Sequence, residues 1–203
     1  PIFPCWNSYT AAMIGDHCIA AIGDAYIKGV RNFDIEKAYE AMRKNAFESP
    51  ANEKDYQNGM GRRALQSYLK YGYIPLEDSV PDAFHTKEQV SRTLEYAYDD
   101  FVLSQVAKQL QKNEDYKLLS VRAQNYRNVI DPQTGYAQGR YADGTFLKEQ
   151  NAFQFAKFIT EGAPCHYTWY VPHDPYGLME YMGGKEKFAL KLDSMFSEHR
   201  YWH

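Results

Sequence analysis

Residues 90–110 give the clearest helix signal in the chain and constrain its fold more than any other stretch. Apolar and small side chains recur there every three or four residues, as one face of an α-helix requires, at Val90, Leu94, Ala97, Phe101 and Ser104. Just before them, Thr86 and Gln89 have the spacing of a capping box, which predicts that the helix begins there. The sequence therefore predicts one long helix with a single apolar face.

Helical periodicity also dominates the rest of the chain, whereas strand-like alternation is scarce. Further helices are predicted over residues 7–30, to Ala46 with Asp34 as the N-cap, from Arg62 to Tyr71 with Gly72 as its end, after Asn113 as an N-cap, over residues 176–181, and after Gly184 to about Phe196. Helices joined by alternating short and long loops pack as stacked helical hairpins. No fixed period repeats, so a repeat solenoid is not supported. We predict an all-α fold. We favour a toroid, because the residues with ionisable and reactive side chains are concentrated in the long loops.

Composition narrows the classes of function. The net charge is −3, and the sequence has no stripe of basic residues, which disfavours nucleic acid as a partner. No apolar run approaches the roughly 20 residues of a membrane-spanning helix. The 3 cysteines lack the paired spacing of a zinc site, and their odd number does not indicate a disulfide framework. Aromatic residues make up 16% of the chain, with 18 Tyr, a residue that suits packed helices and sugar-binding clefts alike.

The segment 160–174 is the richest in side chains that could take part in catalysis. It contains Glu161, His166, His173 and Asp174 among three aromatic residues, and its Gly and Pro residues prevent one regular helix. A lone carboxyl group among aromatic rings is a setting in which desolvation raises the pKa, as a general acid requires. The alternative is a buried structural loop in which Glu161 caps a helix and Asp174 is the N-cap of the next.

A second cluster, Gly15-Asp16-His17-Cys18, is predicted to lie inside an apolar helix. A charge in such a place is costly unless it is paired or functional. A nucleophilic pair of Cys18 and His17 is disfavoured, because adjacent residues on a helix point about 100° apart. The favoured interpretation is a buried pair between Asp16 and His17.

Charged residues also lie along the long helix. Arg92, Glu95 and Asp99 are three or four residues apart, which places them on neighbouring turns of one face. Carboxylates paired in this way serve glycoside chemistry or bind a divalent cation. The alternative is an ion-paired surface stripe, although Tyr96 and Phe101 leave little room for a solvated face.

Five strings, in one order, resemble a known protein family. They are MIGDHCIAAIGDAYIKGVRNFDIEKAYEAMRKNA, YGYIP, SVPDAFHTKEQVSRTLEYAYDDF, RAQNYRNVIDPQTGY and TEGAPCHYTWYVPHDPYGLMEYMGGKEKF. These strings are similar to glycoside hydrolase family 92, which comprises calcium-dependent exo-acting α-mannosidases. The resemblance is specific, because the strings keep the family's order over nearly the whole chain.

The resemblance implies an (α/α)6 toroid as catalytic domain, preceded in full-length members by a β-sandwich domain. It also implies inverting hydrolysis, in which a carboxylic acid protonates the glycosidic oxygen. A carboxylate roughly 6.5–9.5 Å away then activates water on the opposite face of the sugar. The family's general acid is the Glu of a Thr-Glu-Gly-Asn motif, which corresponds to Glu161. Glu161 is therefore the candidate catalytic residue.

The sequence departs from the family pattern in two respects. Residues 163–166 are Ala, Pro, Cys and His where the family usually has Asn, Ala, Trp and Gln, which bears on substrate positioning. The family's general base and calcium-binding segments follow the position of His203, and a Trp-Asp-Thr motif that contacts mannose precedes the chain. Residues 1–203 are therefore predicted to form roughly half of the toroid, as a piece of a longer chain. We expect calcium in the complete enzyme, no metal ligands within these residues, and no activity from them alone.

The remaining predictions concern substrate and location. The candidate substrate-binding residues are Arg31, Trp6, His166, His173 and His203. The expected partners are a mannose-containing oligosaccharide, of α-1,2 type in N-glycans or mannan, and the missing remainder of the toroid. Family members are usually secreted, periplasmic or attached to the cell surface. Two other functions stay open: a toroid hydrolase or lyase for a different sugar, and a non-catalytic carbohydrate-binding or scaffolding domain, which residues 163–166 favour.

Overall fold

The computed structural model describes residues 2–3, 8–9, 13–57, 60–79 and 85–197. Two short strands pair antiparallel at the start, β1 (Ile2–Phe3) and β2 (Ser8–Tyr9). The helices that follow are α1 (His17–Ile27), α2 (Ile35–Phe47), α3 (Glu53–Gln57), α4 (Leu65–Tyr71), α5 (Gln89–Gln109), α6 (Asn113–Arg122), a 3₁₀ segment (Ala123–Val129), α7 (Pro164–Tyr167), α8 (Pro175–Tyr181) and α9 (Lys185–Ser197). Within these ranges no helix combines the length and the apolar character that a bilayer span needs. The all-α class is as predicted.

Helix α5 is the central element of the fold. Val90 and Leu94 in its first half pack in an apolar cluster with side chains from the 3₁₀ segment and the loops that follow it. Leu103 and Val106 in its second half pack in another cluster with side chains from α1, α2 and α6. The sequence predicted a single apolar face, whereas most of the helix is buried, its charged face included. The charged groups of α5 must therefore find partners inside the protein.

Asp100 provides one such set of partners and is fully buried. Its carboxylate accepts hydrogen bonds from Arg62 Nη1 at 2.6 Å, from Arg122 Nε at 2.8 Å and from the Tyr68 hydroxyl at 3.1 Å. Arg122 ends α6 and Tyr68 lies in α4, so these bonds join α4 and α6 to the centre of α5. Buried groups of this kind stabilise a fold only while every partner is present.

The beginning of α5 differs from the capping box predicted at Thr86. Glu88 is in the N-cap position with φ of +46° and its side chain makes no cap. The N–H groups of Val90 and Ser91 instead donate to the carbonyl oxygen of Phe158, at 3.1 and 3.4 Å. A helix end needs acceptors for its first N–H groups, and here a distant loop supplies one.

Two predicted N-caps and one predicted helix end are found in the structure. Asp34 and Asp174 each accept a hydrogen bond from the backbone N–H three residues later, at 3.0 and 2.9 Å. Gly72 ends α4 with φ of +73°, a conformation that favours glycine. The cap predicted at Asn113 is wrong by one position, since α6 begins at Asn113 and Lys112 is its N-cap.

The start of α1 also differs from its prediction. The helix begins at His17, so Asp16 precedes it instead of lying inside it. The Asp16 carboxylate accepts a hydrogen bond from Asn45 Nδ2 at 3.2 Å, and its N–H donates to Asp99 Oδ2 at 2.9 Å. The predicted pair of Asp16 with His17 is not formed, because the imidazole faces Glu95, with Nδ1 3.6 Å from Oε2. Tertiary partners on α2 and α5 have replaced the local one.

Candidate active site

Glu161 is an exposed residue in the middle of a buried segment. Residues 158–160 and 162–165 are buried on either side of it. Its φ is +52°, a left-handed conformation that costs a residue with a Cβ atom roughly 1–3 kcal/mol. Among the described residues, no hydrogen bond or ion pair involves its carboxylate. The surrounding structure therefore imposes this backbone conformation, and the Glu161 side chain extends from it toward solvent.

The desolvated carboxyl group expected at Glu161 is found instead at Glu95, which is 3% exposed. The Tyr167 hydroxyl donates to Glu95 Oε1 at 3.1 Å, and the Tyr170 hydroxyl faces the same carboxylate. Burial raises the pKa of Glu95, and the nearby His17 and the two hydroxyls offset only part of that rise. The aromatic rings of the segment 160–174 thus enclose a carboxylate that comes from α5.

A second contact joins α5 to the backbone beside Glu161. Ser91, one turn before Glu95 on α5, is fully buried, and its Oγ accepts a hydrogen bond from the Thr160 N–H at 2.8 Å. On the other side, the carbonyl oxygen of Gly162 accepts a hydrogen bond from the Ala156 N–H at 3.2 Å. The backbone is therefore fixed both before and after the exposed carboxylate.

The two histidines of this segment lie in different surroundings. His166 is exposed on α7, and its Nδ1 accepts a hydrogen bond from the Ala163 N–H at 3.2 Å. The ring of His173 stacks on Phe101 with 5.4 Å between centroids, and its Nε2 donates to the carbonyl oxygen of Ala123 at 2.8 Å. His166 is thus the more exposed of the two and lies beside the turn that carries Glu161, whereas His173 is partly buried.

The structure does not bring Arg31 to this turn. Arg31 lies just beyond the end of α1, exposed, with its guanidinium 4.1 Å from the centroid of the Tyr26 ring. His17 begins the same helix, and a helix of 11 residues is about 16 Å long. Arg31 is therefore separated by the length of α1 from the cluster around the buried carboxylate. Trp6 and His203 lie outside the described residues.

A cleft of about 460 Å³ opens beside the N-terminal end of α1. Its wall includes Asp16, Arg62, Arg92 and Tyr96, so it shares α5 with the Glu95 cluster. Glu161 is not part of that wall. We therefore base the candidate active site on Glu161, with its strained backbone and exposed carboxylate, and not on this cleft.

Comparison with known proteins identifies the family. A family model described as the glycosyl hydrolase family 92 catalytic domain matches residues 1–203. The chain belongs to glycoside hydrolase family 92. A family-level relative from the fungus Arthroderma benhamiae, described as an uncharacterized secreted glycosidase, is 29% identical over 204 residues. That alignment covers 88% of this chain and 26% of the relative.

Two solved family 92 structures from Bacteroides thetaiotaomicron are similar to the chain. The α-mannosidase BT3965 is 38% identical with a TM-score of 0.77, over 91% of this chain and 22% of that one. The inverting mannosidase BT2199 is 35% identical with a TM-score of 0.79, over 91% of this chain and 24% of that one. A structure of BT3965 in complex with mannoimidazole matches as well. The chain thus spans about a quarter of the length of its relatives.

Family 92 membership confirms the resemblance inferred from the five strings. It also confirms the predicted fold, an all-α chain that forms part of a helical toroid. The family is generally calcium-dependent. Among the described residues, however, no group of three or more His, Cys, Asp or Glu side chains is placed to bind a metal ion. These residues do not fit a calcium site, and no step of the chemistry below passes through one.

The partly buried His173 makes the stability of the fold depend on pH. Burial lowers its pKa, and the nearby Asp174 and Asp100 and the bond to Ala123 only partly oppose this effect. Between the lowered pKa and about 6.5 the unfolded chain binds more protons than the folded one, so stability falls as the pH is lowered through this window. We expect urea denaturation to show this fall in the wild type and a smaller one in His173→Gln. Equal pH dependence in the two proteins would contradict the prediction.

Proposed function

We propose that residues 1–203 form part of the catalytic domain of an inverting exo-α-mannosidase and that Glu161 is its general acid. The observation that supports this role most strongly is the strained, exposed conformation of Glu161 between buried neighbours. A proton donor must reach the substrate and yet stay in one place, because small displacements are costly for rate. The similar structures named as mannosidases, one of them inverting, support the substrate class.

In this proposal Glu161 donates its proton to the glycosidic oxygen while the bond from that oxygen to the anomeric carbon breaks. A carboxylate outside this chain, roughly 6.5–9.5 Å away, accepts a proton from the water that attacks the opposite face. The general base and the calcium ligands would come from the remainder of the toroid. Residues 1–203 alone would then be inactive, because they lack the group that activates water.

The sugar contacts are also proposals. His166 is the candidate that the geometry supports best, since it is exposed on the helix that follows the Glu161 turn. Arg31, Trp6 and His203 would belong to parts of the pocket that other segments complete. The ring of His173 stacks on Phe101 and its Nε2 is hydrogen-bonded to the backbone, which supports a role in packing.

Substrate linkage and location follow from the same proposal. We propose α-1,2-type mannosides of N-glycans or mannan as substrates. We also propose that the protein acts outside the cytoplasm, in a secreted, periplasmic or surface-attached form. The description of the fungal relative as a secreted glycosidase supports this location.

The function is tested with the complete protein that contains residues 1–203 and, beside it, with these residues alone. The complete protein is expected to release mannose from α-1,2-linked mannobiose and to lose this activity when a calcium chelator is added. NMR is expected to show β-mannose as the anomer that forms first. Residues 1–203 alone are expected to release none. Initial formation of α-mannose would contradict inversion, and turnover by residues 1–203 alone would show that no outside base is needed.

One observation favours a second candidate, a non-catalytic carbohydrate-binding domain. Residues 163–166 lack the usual Asn and Trp of the family, and Pro164 instead opens α7. If this alternative holds, calorimetry will show mannobiose binding by the complete protein while no mannose is released. Release of mannose by the same preparation excludes it.

A further inference from the structure

The turn that carries Glu161 needs support to keep its left-handed conformation. A non-glycine residue at φ of +52° relaxes to a right-handed or extended conformation unless its surroundings prevent this. The supports on the described residues come mainly from the first two turns of α5. Ser91 holds the Thr160 N–H, and Glu95 holds the Tyr167 hydroxyl on α7. These contacts lie on both sides of the exposed carboxylate.

We propose that Ser91 and Glu95 are positioning residues that hold the Glu161 turn in the geometry needed for proton transfer. The proposal rests on the proposed role of Glu161 as general acid. Neither residue needs to touch the sugar, because Ser91 acts through the Thr160 N–H and Glu95 acts through Tyr167.

The contact of Ser91 is the more direct of the two. Its Oγ is buried and is the acceptor for the N–H of the residue immediately before Glu161. Without that acceptor, the Thr160 N–H would be buried and unpaired, a state that costs about 1–3 kcal/mol. The backbone can avoid this cost by rotating toward solvent, and the same rotation relieves the strain at Glu161. The carboxylate would then move, and a displacement of about 1 Å can lower a rate by roughly 10²-fold.

The contact of Glu95 fixes the other side. A buried carboxylate is costly to the fold, and an amide of similar shape would fill the same space at lower cost. The Tyr167 and Tyr170 hydroxyls both face this carboxylate, and the Tyr167 hydroxyl faces Ser91 as well. A charged acceptor binds hydroxyl donors more strongly than a neutral one does. Glu95 thereby anchors α7, the helix that begins just after the Glu161 turn.

The test of Ser91 compares two substrates in the complete protein. Mannobiose has a leaving group that needs a proton, whereas 2,4-dinitrophenyl α-mannoside has one that leaves without help. Ser91→Ala is expected to lower kcat for mannobiose by about 10–100-fold, with KM little changed and with the aryl mannoside still hydrolysed at nearly the wild-type rate. The matched control is Ser104→Ala, on the same helix and equally buried, whose hydroxyl donates to Phe101 within the helix. This control is expected to leave both rates unchanged.

The test of Glu95 uses its partner and a conservative replacement. Tyr167→Phe removes the hydroxyl that Glu95 holds and is expected to reproduce the selective loss on mannobiose. Its control is Tyr73→Phe, which removes a hydroxyl that donates to the Tyr141 carbonyl at 2.6 Å. Glu95→Gln keeps an acceptor oxygen for Tyr167 and is expected to retain more mannobiose activity than Glu95→Ala.

The outcomes separate this proposal from the one on which it rests. Suppose that Glu161→Gln lowers the rate on mannobiose but not on the aryl mannoside, while Ser91→Ala and Tyr167→Phe behave like their controls. The positioning proposal is then wrong, and the assignment of Glu161 as general acid stands. If Ser91→Ala lowers kcat equally on both substrates and also lowers the melting temperature, the contact is merely structural and the proposal is again wrong. If Glu161→Gln itself has no effect on mannobiose, the proposed function fails first.

Discussion

Asp100→Ala is expected to destabilise the fold by roughly 3–5 kcal/mol. The substitution leaves Arg62 and Arg122 buried without the carboxylate that both contact, and an unpaired buried charge is among the most costly defects in a protein. Folded domains have a total stability of about 5–15 kcal/mol, so this loss removes a substantial part of the free energy of unfolding. Urea denaturation followed by circular dichroism measures the shift. Asp100→Asn, which keeps the shape and part of the hydrogen bonding, is expected to lie between the wild type and the Ala variant.

An exposed ion pair provides the control for this prediction. Asp24 contacts Lys28 at 2.8 Å, with both side chains largely exposed, and such pairs contribute little to stability. Asp24→Ala is therefore expected to leave the denaturation midpoint nearly unchanged. Equal shifts for Asp24→Ala and Asp100→Ala would mean that burial of the charge does not set the cost. An Asp100→Asn variant as stable as the wild type would show that the negative charge is not needed by Arg62 and Arg122.

Two caps and one helix end that depend on neighbouring residues were predicted correctly. The caps at Asp34 and Asp174 and the turn at Gly72 each involve residues within three or four positions along the chain. Periodicity likewise identified the long helix, because the spacing of apolar residues is itself a local property. What the pattern did not reveal is that α5 is buried nearly all round. The sequence left an ion-paired surface stripe open as the alternative for its charged residues, and the partners that these residues find inside the protein are distant in sequence.

Two errors arose where a tertiary contact replaced a local one. The capping box at Thr86 was plausible in isolation, but the loop at Phe158 already supplies an acceptor for the first N–H groups of α5. The pair of Asp16 with His17 was plausible for the same reason, yet Asn45 and Glu95 are the partners that packing brings near. Each polar group can pair with a neighbour in sequence or with a residue that the fold brings near. Sequence spacing reveals only the neighbours.

The candidate site shows the same division. Resemblance to family 92 pointed to Glu161, and aromatic composition pointed to a desolvated carboxyl group in the same segment. The structure separates these two features, because Glu161 is exposed and the enclosed carboxyl group is Glu95. The contacts of Ser91 with Thr160 and of Glu95 with Tyr167 span 69 and 72 residues, so no local motif could predict them.

Glu161→Gln is expected to lower mannobiose hydrolysis by about 10²–10⁴-fold in the complete protein, since Gln has a similar shape but carries no acidic proton. Loss of the proton donor should matter only where the leaving group needs it. The rate on 2,4-dinitrophenyl α-mannoside is therefore expected to stay near that of the wild type. Parallel measurement of kcat and KM on both substrates checks this split.

The chain offers a closely matched control in Glu149. It is also exposed and also has a left-handed backbone, with φ of +66°, so Glu149→Gln makes the same chemical change in a similar conformation. Because Glu149 is not the residue at the family's acid position, its variant is expected to hydrolyse both substrates at the wild-type rate. Equal losses on the two substrates in Glu161→Gln would instead mean that the residue binds the sugar or holds the turn. Because the aryl mannoside still needs sugar binding and the activated water, it reports on every requirement of the site except the proton from the general acid.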